Sequence, residues 1–135
     1  DLIEAWLEVK VASDSGAIVF ESGGLDESGR LRQDAQKLGG YMLDKDGNKI
    51  ERNRVWVTAK KVTERAIPPG RTIENEFRMP VPAKAERIRV DARWNYRKLN
   101  QDFVDWAYGP GNFHTPIGEV ASTSHEFEVR PVSAP

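Results

Sequence analysis

The strongest order in the chain is an alternation of apolar and polar residues with a period of two. At the start, Ile3, Ala5, Leu7, Val9 and Val11 share one face, while Glu4, Glu8 and Lys10 share the other with Trp6. Successive side chains of a strand point to opposite sides, so this run predicts a half-buried β-strand. Ser13-Asp14-Ser15-Gly16 is turn chemistry, because Asp and Ser bond the local backbone and Gly takes positive φ. Residues 17–21 then predict the returning strand of a hairpin. Ser22-Gly23-Gly24 and residues 26–29 are loops. Leu31, Ala35 and Leu38 recur at i, i+4 and i+7 before Gly39-Gly40, which predicts one or two helical turns.

Residues 44–48 form a turn between residues 41–43 and 49–50, and residues 54–62 are β-rich. Ile67-Pro68-Pro69-Gly70 must be a connection, since two consecutive prolines offer no backbone donors to a sheet. Residues 72–79 predict the next strand, ended by Pro80 and Pro82. The cleanest alternation is at residues 87–97. There Ile88, Val90, Ala92, Trp94 and Tyr96 face one way, and Arg87, Arg89, Asp91, Arg93, Asn95 and Arg97 face the other. One short helix is predicted near residues 100–108, with Asn100 as N-cap and Asp102 and Asp105 near its positive end. Leu99, Phe103 and Trp106 share a face of it, and Gly109-Pro110-Gly111 stops it. Residues 113–123 have no clear period; Phe127 and Val129 mark a last strand before a proline-containing tail.

About seven short strands separated by turn signals, with no β-α-β alternation, point to an all-β fold. The expected architecture is a two-sheet antiparallel immunoglobulin-like β-sandwich with one short helix, filling residues 1–135 as a single domain. Because the strand pattern starts at once after Asp1, the domain is expected to be a fragment or the C-terminal domain of a longer protein.

Composition narrows the chemistry. The chain has no cysteine, which excludes disulfides, thiolate metal sites, a cysteine nucleophile and thioether-linked haem, whose attachment needs C-x-x-C-H. Twenty basic against twenty-one acidic side chains give a net charge of −1, so no nucleic-acid partner is expected. No apolar run approaches the roughly 20 residues that cross a bilayer, so no membrane span is expected either.

The candidate sites are few. Asp44-x-Asp46-Gly47-Asn48 has its glycine too early for a calcium loop and fits an Asp-Gly turn. His114 and His125 lack the third ligand and ordered spacing of a metal site; they fit loop histidines, or one could reach a neighbour's metal. Arg87, Arg89, Arg93 and Arg97 form a row interrupted by Asp91. The row is either a solvated face neutralised by cross-strand acids such as Glu74 and Glu76, or an anion-facing surface. Aromatic residues in a sandwich are more often core or interdomain contacts, but Trp6 and Trp56 are out of phase with the aliphatic residues of their strands, and an exposed pair would be a contact patch. G-x-S-x-G, H-E-x-x-H and phosphate-binding glycine loops are missing. No catalytic, cofactor-binding or metal residue is therefore expected, and the chain is not expected to be an enzyme.

Several phrases, in order, carry a resemblance. They are Trp6-Leu7-Glu8-Val9-Lys10-Val11, Ser15-Gly16-Ala17-Ile18-Val19-Phe20-Glu21-Ser22-Gly23, Leu25-Asp26-Glu27-Ser28-Gly29 and residues 43–50. Ile67-Pro68-Pro69-Gly70, Val81-Pro82, Ala92-Arg93-Trp94-Asn95-Tyr96-Arg97 and residues 116–121 continue the series. This arrangement resembles the β-rich C-terminal domain of bacterial multihaem c-type cytochromes. The resemblance implies a periplasmic or extracellular location and electron transfer as the whole molecule's activity. It implies haem c in the upstream part or on a partner chain, with none on this one. The partners it implies are a haem-bearing domain or subunit of the same protein and a redox protein. Some relatives place a histidine where Gln36 stands here, so no haem ligand is carried over. The role implied is that of a non-catalytic accessory domain; a stand-alone carbohydrate- or protein-binding sandwich is the alternative that the aromatic residues leave open.

Overall fold

The computed structural model describes residues 2–130. β1 (Glu4–Ser13) and β2 (Ile18–Ser22) form the expected hairpin, with Val11 opposite Phe20 and Val9 opposite Ser22. Its turn closes at Gly16, whose φ of 81° suits glycine. β5 (Arg87–Arg97) runs antiparallel along the whole of β1, from Glu4 opposite Arg97 to Ser13 opposite Ile88. With that edge taken, β2 and β3 (Gln36–Leu43) divide the other edge of β1, and Ala5 lies opposite Leu38. β3 shifts register at Gly39-Gly40 and pairs over its second half with β4 (Lys60–Arg65). A Cβ at Gly40 would strike the Val62 carbonyl, so the strands can approach this closely only at glycine. β6 (Gly118–Glu128) completes the sheet against β5. Among the described residues the six strands form one antiparallel sheet, ordered β4-β3-β1-β5-β6 with β2 also on β1.

The core lies on one face of this sheet. Leu7, Val9 and Val11 are buried there beneath Phe20, Phe77 and Met79, flanked by Ile88, Val90, Ala92 and Trp94. Phe77 and Met79 belong to the stretch expected as a strand. Residues 73, 75, 77 and 79 are half-buried and 74, 76 and 78 exposed, so the period of two is real. Yet among the described residues no backbone–backbone hydrogen bond reaches residues 72–81. The alternation comes from lying extended on an apolar sheet surface, with Phe77 edge-on to Phe20 at 5.8 Å, rather than from a ladder. Where two stacked sheets were expected, the second layer is this single segment.

Two other local expectations change. The helical turns expected at residues 31–38 are absent. Leu31 instead bridges Leu25, and β3 starts at Gln36, because Gln36, Lys37 and Leu38 are needed to pair with β1. Residues 54–62 do not form one strand. A 3-10 turn, Val55–Val57, precedes β4, after Arg52 and Asn53 turn the chain with φ of 54° and 56°. The last strand, expected around Phe127, is longer than its pattern suggested and begins at Gly118.

α1 (Gln101–Tyr108) forms as expected. The Asn100 side chain accepts from the Phe103 N–H at 2.8 Å, and Gly109 ends the helix at φ 89°. No helix among the described residues is long and apolar enough to cross a membrane. The proline-containing tail at residues 131–135 lies outside the described residues.

Candidate functional site

The arginine row sits on the sheet face opposite the core, and acids lie across from it. Arg87 pairs with Glu128 and Arg89 with Glu126 in the β5–β6 register. Arg93 lies opposite Glu8 and 3.7 Å from Glu119, and Arg89 bonds Asp91 at 3.1 Å. The neutralising acids therefore come from β1, β6 and β5 itself. Glu74 and Glu76, expected in that role, sit on the segment covering the other face, where Glu76 bonds Arg78. Glu8 shows the effect: partial burial raises its pKa, but hydrogen bonds from Lys10 and Asn95 and nearby positive charge outweigh this and lower it.

Arg97 departs from the row, for it is only 2% exposed. Its Nε and Nη2 both lie 2.6 Å from Glu4 Oε2, and its Nη1 donates to the Gly29 carbonyl at 2.7 Å and to Thr115 Oγ1 at 3.4 Å. The guanidinium lies over the ring of Trp6, 5.6 Å from its centroid. Trp6 is likewise inside, 1% exposed, with Nε1 donating to the Gly23 carbonyl at 2.9 Å. Trp6 is thus a core residue, and the two tryptophans do not form an exposed pair. Trp6 and Arg97 are covered by the 23–34 loop and the 113–115 segment, whereas Trp56 is 77% exposed.

That cover is held by a polar network on α1. Gln101 donates to Asp105 and to the Phe113 carbonyl, each at 2.8 Å, and accepts from the Thr115 N–H at 3.4 Å. Arg30 reaches Asp102 and Asp105 at 2.6 Å each and Ser28 at 2.8 Å. Among the described residues no buried side-chain nitrogen or oxygen lacks a partner. The Gln101 amide and the Arg30 charge hold the Asp105 carboxyl below its ordinary range, while hydrogen bonding to Asp102 raises Arg30.

The network fixes which side of the helix turns inward. α1 buries Gln101, Val104 and Asp105, so the Phe103 and Trp106 side lies toward the surface. It lines an open cleft of about 500 Å³ together with Tyr41, Ile50, Arg52 and Asn53, and Asn100 and Asp102 stand at the side. Lys49 sits over the Tyr41 ring at 4.1 Å, Arg52 over the Trp106 ring at 5.2 Å, and Phe103 packs against Trp106 at 5.6 Å. Trp106 remains 54% exposed; Val55, Trp56, Val57, Tyr108 and Phe113 are also exposed. Arg52 and Asn53 both have positive φ, a conformation that asparagine tolerates well and arginine adopts rarely.

The sequence reading did not find this cleft, because it grouped Leu99, Phe103 and Trp106 on one face of the helix without deciding which face turns inward. The signal was present in the other stripe, Gln101-Val104-Asp105, which is spaced i, i+3, i+4. His114 and His125 are both exposed, and no cluster of three or more His, Cys, Asp or Glu that could hold a metal occurs among the described residues. No family model, curated protein or solved structure matches the chain.

Proposed function

We propose that this chain is a non-catalytic interaction domain that docks onto the haem-bearing part of a secreted multihaem c-type cytochrome. The surface used is the cleft lined by Phe103, Trp106 and Arg52, with the exposed Val55–Val57 turn following Arg52 and Asn53 in the chain. The observation that carries the reading is the orientation of α1: it buries amide and carboxylate and presents aromatic rings to solvent. Exposed aromatic residues around a depression are the usual anchors of a protein interface. The choice of partner rests on the ordered phrases that resemble those of cytochrome C-terminal domains. A chain without cysteine would leave haem attachment, and with it electron transfer, to the companion. On this reading the extended 72–81 segment is the reduced second sheet of an immunoglobulin-like sandwich, and the protein works in the periplasm or outside the cell.

Two measurements test it. The coding sequence upstream should contain several C-x-x-C-H motifs; their absence removes the cytochrome from the proposal. Titration of the purified domain with the haem-bearing part should give saturable binding, weakened at least tenfold by Trp106→Ala and Trp56→Ala with Tm little changed. Equal affinity for the variants refutes docking through this face.

A carbohydrate ligand is the second reading, favoured by the cleft. Tyr41 and Trp106 offer rings for stacking, and Asn53, Asn100 and Asp102 offer polar groups for hydroxyls. Titration with a glycan panel, followed by tryptophan fluorescence, decides it: no response from any glycan leaves the protein partner alone.

A further inference from the structure

We propose that β6 is a pairing edge whose occupant is β6 of a second copy of the chain, antiparallel, with Ser124 on the two-fold axis. This rests on β6 itself and is independent of the docking face proposed above.

The two ends of the sheet are unlike. β4, the last strand at one end, is six residues long and carries Lys60, Lys61 and Arg65. Lysine on a short edge strand is a common guard against pairing with other chains. β6, at the other end, is eleven residues long, exposed throughout, and contains no Lys, Arg or Pro. Its outer edge has no backbone partner among the described residues. An unguarded edge of this length is a template for another strand.

The side chains select the occupant. The strand's carboxylates already face arginines of β5, with Glu126 opposite Arg89, Glu128 opposite Arg87 and Glu119 close to Arg93. A basic partner would bring charge that has nothing left to neutralise, so an edge with no lysine or arginine of its own fits better, and β6 is such an edge. The register shift at Trp94/Asn95 leaves residues 121–128 as the regular stretch. With Ser124 opposite its own copy, Ala121 meets Phe127 and Thr123 meets His125 on the core side, while Ser122 meets Glu126 on the arginine side. Small meets large, hydroxyl meets carboxylate, and no like charges face each other. Phe127, 53% exposed in the single chain, gains a neighbour. A shift of one residue would carry the copy's core side to the arginine side, so the alternation excludes registers of that kind. The contact uses the same patch twice and closes after two copies, rather than propagating.

The absence of native cysteine makes a register-specific test simple. Ser124→Cys places two thiols directly opposite, with Cα atoms about 4.5–5.5 Å apart, inside disulfide range. Ser122→Cys, equally exposed and two residues away, places them about 14 Å apart or more. Under mild oxidation, with circular dichroism confirming both folds, Ser124→Cys should form covalent dimer at least ten times faster than Ser122→Cys. The unaltered chain should sediment as a concentration-dependent dimer. Equal cross-linking of the two variants, or an unaltered chain that stays monomeric at the highest attainable concentration, overturns the proposal.

Discussion

Arg97→Met tests whether the covered end of the sheet depends on one buried ion. The substitution keeps an unbranched stem over Trp6 but removes the fork that holds Glu4, the Gly29 carbonyl and Thr115. Removing one member of a buried ion pair leaves the other uncompensated and costs roughly 3–5 kcal/mol. Glu4 keeps 16% of its side chain exposed, so partial hydration puts the expected loss at the low end, about 3 kcal/mol. For a chain of this length that is a fall in Tm of roughly 10–15 °C. Urea unfolding followed by tryptophan fluorescence measures it, and Trp6, stacked on the guanidinium, reports from the site. The pair Glu4→Gln with Arg97→Met should lose less than the sum of the single changes, by at least about 1 kcal/mol, because no orphaned charge remains. A single-variant loss below about 1 kcal/mol, or strict additivity in the cycle, would refute the claim that Arg97 holds this end of the fold.

Asp26, Asp44, Asp91, Asp105 and Glu8 all have folded pKa values below their ordinary ones. A depressed carboxylate adds stability above its unfolded pKa and loses it as pH falls through the folded one, so Tm should hold steady down to about pH 5 and drop below about pH 4. Asp105→Asn should flatten that drop, and a Tm constant from pH 6 to pH 3 contradicts the assignment. Gly23→Ala should cost about 2–4 kcal/mol in urea unfolding, since φ is 76° and the added Cβ would collide with the Leu7 carbonyl; a loss under about 1 kcal/mol would mean that the loop moves freely there. Arg52→Ala uncovers one face of Trp106. It should tighten binding of any stacking sugar and weaken docking of a protein partner, each read by titration, and the opposite pair of results would exchange the two functional readings.

What the sequence revealed follows from how local each determinant is. The β1–β2 hairpin, β5 and α1 are written in consecutive residues: a period of two, a turn glycine, an Asn100 cap. β3 is not, because Leu31, Ala35 and Leu38 satisfy a helical spacing and only pairing with β1 decides against it. Residues 72–79 make the converse point, since period two reports a flat apolar surface beneath the chain and is silent on whether a neighbour bonds its backbone. The arginine row was legible as a row, but not the fate of Arg97, which depends on a loop 68 positions away in sequence. The cleft was hidden for the same reason. Which stripe of α1 turns inward is set by Arg30 and the Phe113 carbonyl, both outside the helix.

The orientation of α1 also bears on why the fold is built this way. Burying Gln101 and Asp105 requires a partner for every polar atom, and each such group left unpaired would cost about 1–3 kcal/mol. Turning Phe103 and Trp106 inward would avoid that demand and remove apolar surface from water as well, so stability alone favours the other orientation. The network that enforces the present one spans three separated segments, yet what it achieves is to keep Trp106 exposed and Phe103 half-exposed beside Arg52 and Asn53. Lys49 and Arg52 each lie over one ring face, of Tyr41 and Trp106, that a stacking sugar would need. A protein surface can pack against ring edges and bond the cations at the same time. The arrangement therefore favours a protein over a saccharide as the occupant of the cleft.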